Sequence, residues 1–303
     1  MSEFADMSDP AGDDLRDRVE RLLAEHDPAQ CSETEFLRAQ FDAGLAWVHF
    51  PEGLGGAGVA RSRQNEVDAM LAAAGAPGPA KTRNAIGLGM AAPVIVAFGT
   101  PEQQQKYLRP LFTGEEIWCQ LFSEPGAGSD LAAVATRAVR EGDSWTVDGQ
   151  KVWTSGAHQA RRAILVARTD TSVPKHRGLT YFLLDMHQSG VDVRPLRQIT
   201  GEAEFNEVYL DGVTVPDSDR LGEVGEGWKV ATATLNSERV AIGAGLEREA
   251  GQIGIAARRW REHPEVRTPG AHDELMSWWV QSEALRLAGT RLGQLLAVGA
   301  PGP

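Results

Sequence analysis

Leu121-Phe122-Ser123-Glu124-Pro125-Gly126-Ala127-Gly128-Ser129-Asp130 begins as an extended apolar segment and breaks into a turn holding a proline and two glycines. Such a turn leaves bare main chain and small hydroxyls at a strand end, where a bulky planar ligand can come close. Lys151-Val152-Trp153-Thr154-Ser155-Gly156 answers it: strand-like again, and again ending in glycine. Alternation along a strand sets Trp153 and Ser155 on one side and Val152 and Thr154 on the other. Together the two runs read as two walls of one site. On its own Trp153 reads as core packing, and the Ser123-Glu124-Pro125 run upstream shifts that reading to a ligand wall. Gly126-Ala127-Gly128 is a hairpin turn whatever binds there, and Ser129 reads equally as its cap.

Before these runs the pattern is helical. Leu15, Val19, Leu22 and Leu23 make an apolar stripe over Asp14 to His26. Ser32 with Glu35 makes a capping box ahead of Phe36, Phe41 and Leu45. Helical patterns resume over Gln64 to Ala74 and Asn84 to Ala97, and Gly99 ends the second. Thr100-Pro101-Glu102-Gln103 then opens another helix, with threonine at N-cap, proline at N1 and glutamine at N3. Short segments rich in β-branched and aromatic residues follow: Ile117 to Ser123, Val134 to Arg140, Trp145 to Val147, Ala163 to Ala167, Leu179 to Leu184, Val191 to Leu196 and Glu207 to Leu210. Glu141-Gly142-Asp143 and Asp148-Gly149 read as turns between some of them. From Gly225 the helical period returns, as one long helix over Trp228 to Trp260 with Val230, Leu235, Val240 and Ile242 inward. A loop spans His263 to Ala271, and a second helix Asp273 to Val298. The fold class is α+β: an N-terminal helical domain (1–117), a central antiparallel β-barrel or sandwich (118–224) and a C-terminal helical part (225–303).

The two runs resemble the paired signatures of the acyl-CoA dehydrogenase family. Three further stretches agree in the same order. They are Phe98-Gly99-Thr100-Pro101-Glu102-Gln103-Gln104 with Lys106-Tyr107-Leu108, Arg197-Gln198-Ile199-Thr200-Gly201 with Phe205-Asn206-Glu207-Val208, and Gly225-Glu226-Gly227-Trp228 with Leu235-Asn236-Ser237-Glu238-Arg239. The resemblance implies FAD as cofactor and α,β-dehydrogenation of an acyl-CoA thioester, with electrons passed to an electron-transfer flavoprotein. It implies that Trp153 flanks the isoalloxazine ring, with Thr154 beside it and the Ser155 hydroxyl near flavin N5. Gln120, Phe122 and Ser123 match positions that hold the pyrimidine end, mostly through main-chain amides. Gly128 and Ser129 match the turn that meets cofactor and pantetheine arm. Asn236 and Arg239 fall on the substrate side. Glu238 occupies one of two places where relatives carry the catalytic base; in most of them the base lies later, in a segment corresponding to positions beyond residue 303, and Glu238 then reads as a helix-surface acid or a partner of Arg239.

Relatives continue with further helices that complete a four-helix bundle, so a C-terminally truncated, incomplete bundle is expected here. The Arg-x-x-Phe-Gly pattern with which relatives reach a neighbouring subunit's nucleotide is replaced by Arg258-Arg259-Trp260-Arg261, which reads as a pyrophosphate contact or a solvated basic face. Two alternatives keep the same frame: a non-catalytic partner subunit of a heteromeric enzyme, and an oxygen-using oxidase or monooxygenase. A homo- or hetero-oligomer, dimer or tetramer, is expected.

The rest of the sequence narrows the field. With 303 residues, 42% apolar and 24% charged, the chain suits a soluble globular protein of two or three units. A net charge of −12 argues against a nucleic-acid surface as the main role. No apolar run approaches the roughly 18 residues of a membrane span, and Met1 to Asp14 is acidic, unlike a secretory signal. Cys31 and Cys119 are too few for a disulfide framework. A cytoplasmic location follows as the expectation. His158 and His176 stand alone without metal-ligand spacing.

Overall fold

The capping box expected at Ser32 closes, and the N-cap expected at Thr100 closes as a second one. Glu35 N donates to Ser32 Oγ at 3.3 Å while the Glu35 carboxylate accepts Ser32 N at 3.0 Å. Gln103 N donates to Thr100 Oγ1 at 3.3 Å, Thr100 N donates to Gln103 Oε1 at 3.0 Å, and Pro101 fills the first turn. A computed structural model describes residues 10–80, 83–243, 248–249 and 251–297. α1 (Pro10–Glu25), α2 (Glu33–Asp42) and α3 (Gln64–Ala73) enclose Leu15, Val19, Phe36, Leu45, Val67 and Leu71. A π-turn at Gly87–Ala91 runs into α4 (Ala92–Phe98). Gly87 has a steric reason: a Cβ there would meet Asn84 Oδ1 at 2.4 Å. The Asn84 amide is occupied, donating to Leu111 O at 2.8 Å and accepting Trp118 N at 2.9 Å. It thereby ties the end of α5 (Pro101–Thr113) to the first strand.

Eight strands form one sheet: β1 (Trp118–Leu121), β2 (Arg137–Glu141), β3 (Ser144–Ser155), β4 (Arg162–Arg168), β5 (Leu179–Asp185), β6 (Val191–Leu196), β7 (Phe205–Pro216) and β8 (Arg220–Leu221). Their order is β6-β7-β3-β2-β4-β5-β8, with β1 beside β4. Cys119, Trp145, Leu165, Phe182, Val208 and Val213 pack inside it. The expected purely antiparallel sheet is corrected: β1 runs parallel to β4 from Trp118↔Arg162 to Leu121↔Leu165, and β2 meets β4 in parallel at Arg137↔Arg168. The long connection such a parallel pair requires is the β2–β3 hairpin itself. That hairpin turns where expected, with Glu141 opposite Ser144 and Gly142 at φ +62°.

Asp148-Gly149 is not a turn. Trp145–Val147 and Lys151–Ser155 belong to one twelve-residue strand, β3. Gly149 is small because a Cβ would fall 2.7 Å from Thr136 Cα, a close approach of two chains rather than a reversal. The helical part docks on the sheet through α5. Gln103 Nε2 donates to Ser218 O (2.7 Å) and Arg220 O (2.8 Å), and Tyr107 OH donates to Asp219 at 2.6 Å.

The chain divides into two compact units between Ala233 and Thr234, within α6 (Gly227–Gly243). The expected single helix from Trp228 to Trp260 is two, α6 and α7 (Gln252–Glu262). Glu249 at φ +66° and Gly251 at φ +68° leave the right-handed helical region between them. Val230 is buried and Leu235 half-buried, while the side chains of Val240 and Ile242 lie outside the described residues. α8 (Pro269–Ala297) begins earlier than expected and, within its unit, buries Leu275 but leaves Trp278, Val280, Leu285 and Leu287 exposed. Val298 lies outside the described residues. No helix among the described residues is long and apolar enough to cross a membrane.

Candidate functional site

The site begins with a fault in strand pairing. β3 meets β7 at Lys151↔Val208 and next at Thr154↔Asn206, so Val152 and Trp153 stand opposite a single residue. This is a bulge, and Trp153 takes it up at φ +60°, a left-handed conformation that bulky side chains rarely adopt. Its indole is 58% exposed and meets the Phe205 ring edge-on at 6.1 Å. Val152 turns inward, and its N–H donates to Ser123 O at 2.9 Å. That bond joins the two signature runs side by side.

The second wall is a tight turn. Glu124 N donates to Ala127 O at 2.9 Å and Ala127 N returns to Glu124 O at 3.0 Å, with Pro125 and Gly126 at the corner. Neither Gly126 nor Gly128 has a left-handed φ, and a Cβ on either would meet nothing within 4 Å. Their smallness answers no need of the surrounding protein and leaves the outer surface of the turn bare. Asp130 at its end pairs with Lys175 at 2.6 Å.

Beneath both walls lies an ion pair. Lys151 is fully buried and spends its ammonium on Glu124 Oε1 (2.8 Å), Val166 O (2.9 Å) and Phe122 O (3.0 Å). Glu124 also accepts Ala135 N at 2.6 Å and Thr136 N at 2.9 Å. Burial pushes Lys151 down, to about 8, although the Glu124 charge favours its proton. Burial works to raise Glu124, but the Lys151 charge and the hydrogen bonds hold it below the usual carboxylate range. The sequence reading quoted both residues and gave neither a role. Alternation was no guide, because the Val152–Trp153 bulge puts Lys151 and Val152 both on the buried side.

Trp153 and Ser155 emerge on the exposed side and Val152 and Thr154 on the buried one, as alternation requires. Thr154 and Phe122 are buried, so they offer a ligand only main chain. Ser123 and Gln120 are half-buried; Gly128 and Ser129 are exposed. Asn236 and Glu238 are half-buried on α6, beyond the division between units. Arg239 follows them on the helix, and its side chain lies outside the described residues. Arg258 and Arg259 are exposed, and Arg261 pairs with Glu249 at 2.7 Å. Sequence reasoning also missed a cavity of about 460 Å³ in the first unit, lined among others by Arg137, Arg140, Arg168, Arg177 and Asp170. Its arginines come from separate strands and a loop, so no local motif announces it.

An exposed tryptophan on a strained bulge, beside a bare glycine turn, fits a flat aromatic group. The acyl-CoA dehydrogenase N-terminal domain matches residues 3–115, and the middle domain of the same family matches residues 119–213. Acyl-CoA dehydrogenase FadE34 of Mycobacterium tuberculosis is 47% identical over 240 residues, covering 79% of this chain and 32% of that protein. Acyl-CoA dehydrogenase IpdE1 of the same organism is 39% identical over 264 residues, covering 86% and 67%. The solved structure of the Tcur3481-Tcur3483 steroid ACAD superposes with a TM-score of 0.71 at 28% identity, covering 96% of this chain and 77% of that one. The chain belongs to the acyl-CoA dehydrogenase family. It spans only 32% of FadE34's length.

Proposed function

We propose that this protein binds FAD and oxidises an acyl-CoA thioester between its α and β carbons, passing the electrons to an electron-transfer flavoprotein. The observation that carries the reading is Trp153, exposed at φ +60° on a bulge joined to the glycine turn. A left-handed tryptophan stores strain of about 1–3 kcal/mol, which persists where the surroundings impose it and which marks functional sites. When bound, FAD would supply the acceptor for the hydride leaving the substrate's β carbon. The exposed Trp153 indole would offer the ring a face and the Ser155 hydroxyl would offer its edge a hydrogen bond. The main chain of Gln120, Phe122, Ser123 and Thr154 and the Ser123 hydroxyl hold the cofactor. Gly128 and Ser129 let cofactor and pantetheine arm approach. By the family resemblance, Glu238 is the candidate base for the α-proton and Asn236 and Arg239 the candidates for the substrate side. The protein works in the cytoplasm, as an oligomer.

The test is anaerobic titration of the FAD-loaded protein with acyl-CoA thioesters, one carrying a steroid side chain because a structural relative is called a steroid ACAD. Bleaching of the visible flavin band is expected. A protein that takes up no flavin contradicts the reading, and rapid reoxidation by air points instead to the oxidase or monooxygenase. A second reading, a non-catalytic partner subunit, is favoured by the exposed Trp278, Val280, Leu285 and Leu287 of α8. Activity that arises only on mixing with a longer relative would select it.

A further inference from the structure

Lys151 and Glu124 sit behind the candidate ring site rather than in it, and their geometry exceeds what packing needs. The lysine's hydrogen bonds reach one other strand and the turn wall. Phe122 O and Glu124 belong to the glycine-turn wall, Val166 O to β4, and Lys151 itself immediately precedes the bulge. Glu124 extends the same network to the main chain of Ala135 and Thr136, ahead of β2. The next residue, Val152, leaves its cross-strand pairing and bonds Ser123 O instead. So the ammonium fixes both carbonyl and carboxylate of the 122–124 segment, and the bulge follows directly from where that segment stands. An apolar residue of similar volume would fill the space without taking two charges out of water, a replacement that is often neutral or stabilising.

We infer that the buried Lys151–Glu124 pair is a positioning device for the cofactor site, holding the glycine turn and the Trp153 bulge in mutual register. The inference rests on the flavin reading above and deepens it. Neither residue touches the ring; they act through the main chain of Phe122 to Glu124 and of Val152 to Trp153. Their loss loosens the site more than it loosens the fold.

The test compares the full-length wild-type chain with the double variant Glu124→Gln/Lys151→Met, which removes both charges together. Three quantities are measured: thermal midpoint without flavin, Kd for FAD, and amide hydrogen exchange. The expected result is a midpoint close to wild type, FAD binding weaker by about tenfold or more, a loss of about 1.4 kcal/mol in binding from the loosened walls, and faster exchange confined to residues 122–127 and 150–156. Exchange needs no cofactor, so it reports the positioning even on the unloaded chain. A double variant that binds FAD as tightly as wild type, with unchanged exchange at both segments, overturns the inference and leaves the flavin reading standing. A global rise in exchange with a collapsed midpoint also overturns it, since the pair would then serve the fold as a whole. A wild-type chain that binds no FAD sinks the flavin reading and this inference with it.

Discussion

Two lysine–carboxylate pairs hold the stretch 121–130, one through Glu124 where the tight turn begins and one through Asp130 beyond it. At the inner end Lys151 and Glu124 meet at 2.8 Å with side chains 0% and 8% exposed. At the outer end Lys175 and Asp130 meet at 2.6 Å with side chains 49% and 57% exposed. The distances are alike and the surroundings are not. Water screens the outer pair and solvates either partner when the other leaves, so it contributes about 0–1 kcal/mol. Burial keeps bulk water from the inner pair, so each charge depends on the other. The same chemical contact is therefore exchangeable at the rim and binding on structure at the base.

The largest effect expected is from Lys151→Met alone. It strands the Glu124 carboxylate in the interior and should lower stability by about 3–5 kcal/mol in urea unfolding. A loss below 1 kcal/mol would put the two pairs in one class and break the comparison. Next is Gly149→Ala, whose Cβ would meet the Thr136 main chain at 2.7 Å. Overpacking there should cost about 1–3 kcal/mol, whereas a true turn glycine at an open position would tolerate alanine.

The pH dependence sharpens the contrast further. Glu124 is depressed in the folded state, so its contribution is complete above the ordinary value of 4.5 and is lost as pH falls through the lowered one. Lys151 is depressed from 10.5 to about 8, so between those values the unfolded chain binds more protons and stability rises with pH. Subtracting the stability curve of Glu124→Gln/Lys151→Met from that of wild type should show both limbs. A flat difference would mean that the pair is solvated. The smallest effect belongs to Asp130→Asn, expected within about 1 kcal/mol of wild type and weakened further by salt.

What the sequence disclosed follows the same division between local and distant causes. The capping boxes at Ser32 and Thr100 were legible because each is closed by residues three apart. The Gly142 turn was legible for a similar reason. Gly149 was misread because its constraint, Thr136, comes from another strand. The parallel placement of β1 on β4 was hidden because pairing over forty residues leaves no periodic trace. The break between α6 and α7 had a signal in Gly251, overridden by the apolar period on either side. Of the site, Trp153 and Ser155 followed from alternation, but the bulge at Trp153 depends on the register of β7 and the Lys151–Glu124 contact on how three strands meet.

The central claim is that Trp153 and the glycine turn form a wall for a flavin. It is tested most directly by titrating FAD into the wild-type chain and into Trp153→Asn, an exchange that keeps the left-handed backbone accessible and removes little buried surface. Saturable binding by wild type, lost in a variant of near-equal thermal midpoint, is the predicted result. Equal FAD affinity in the two proteins, or none in either, would contradict the account.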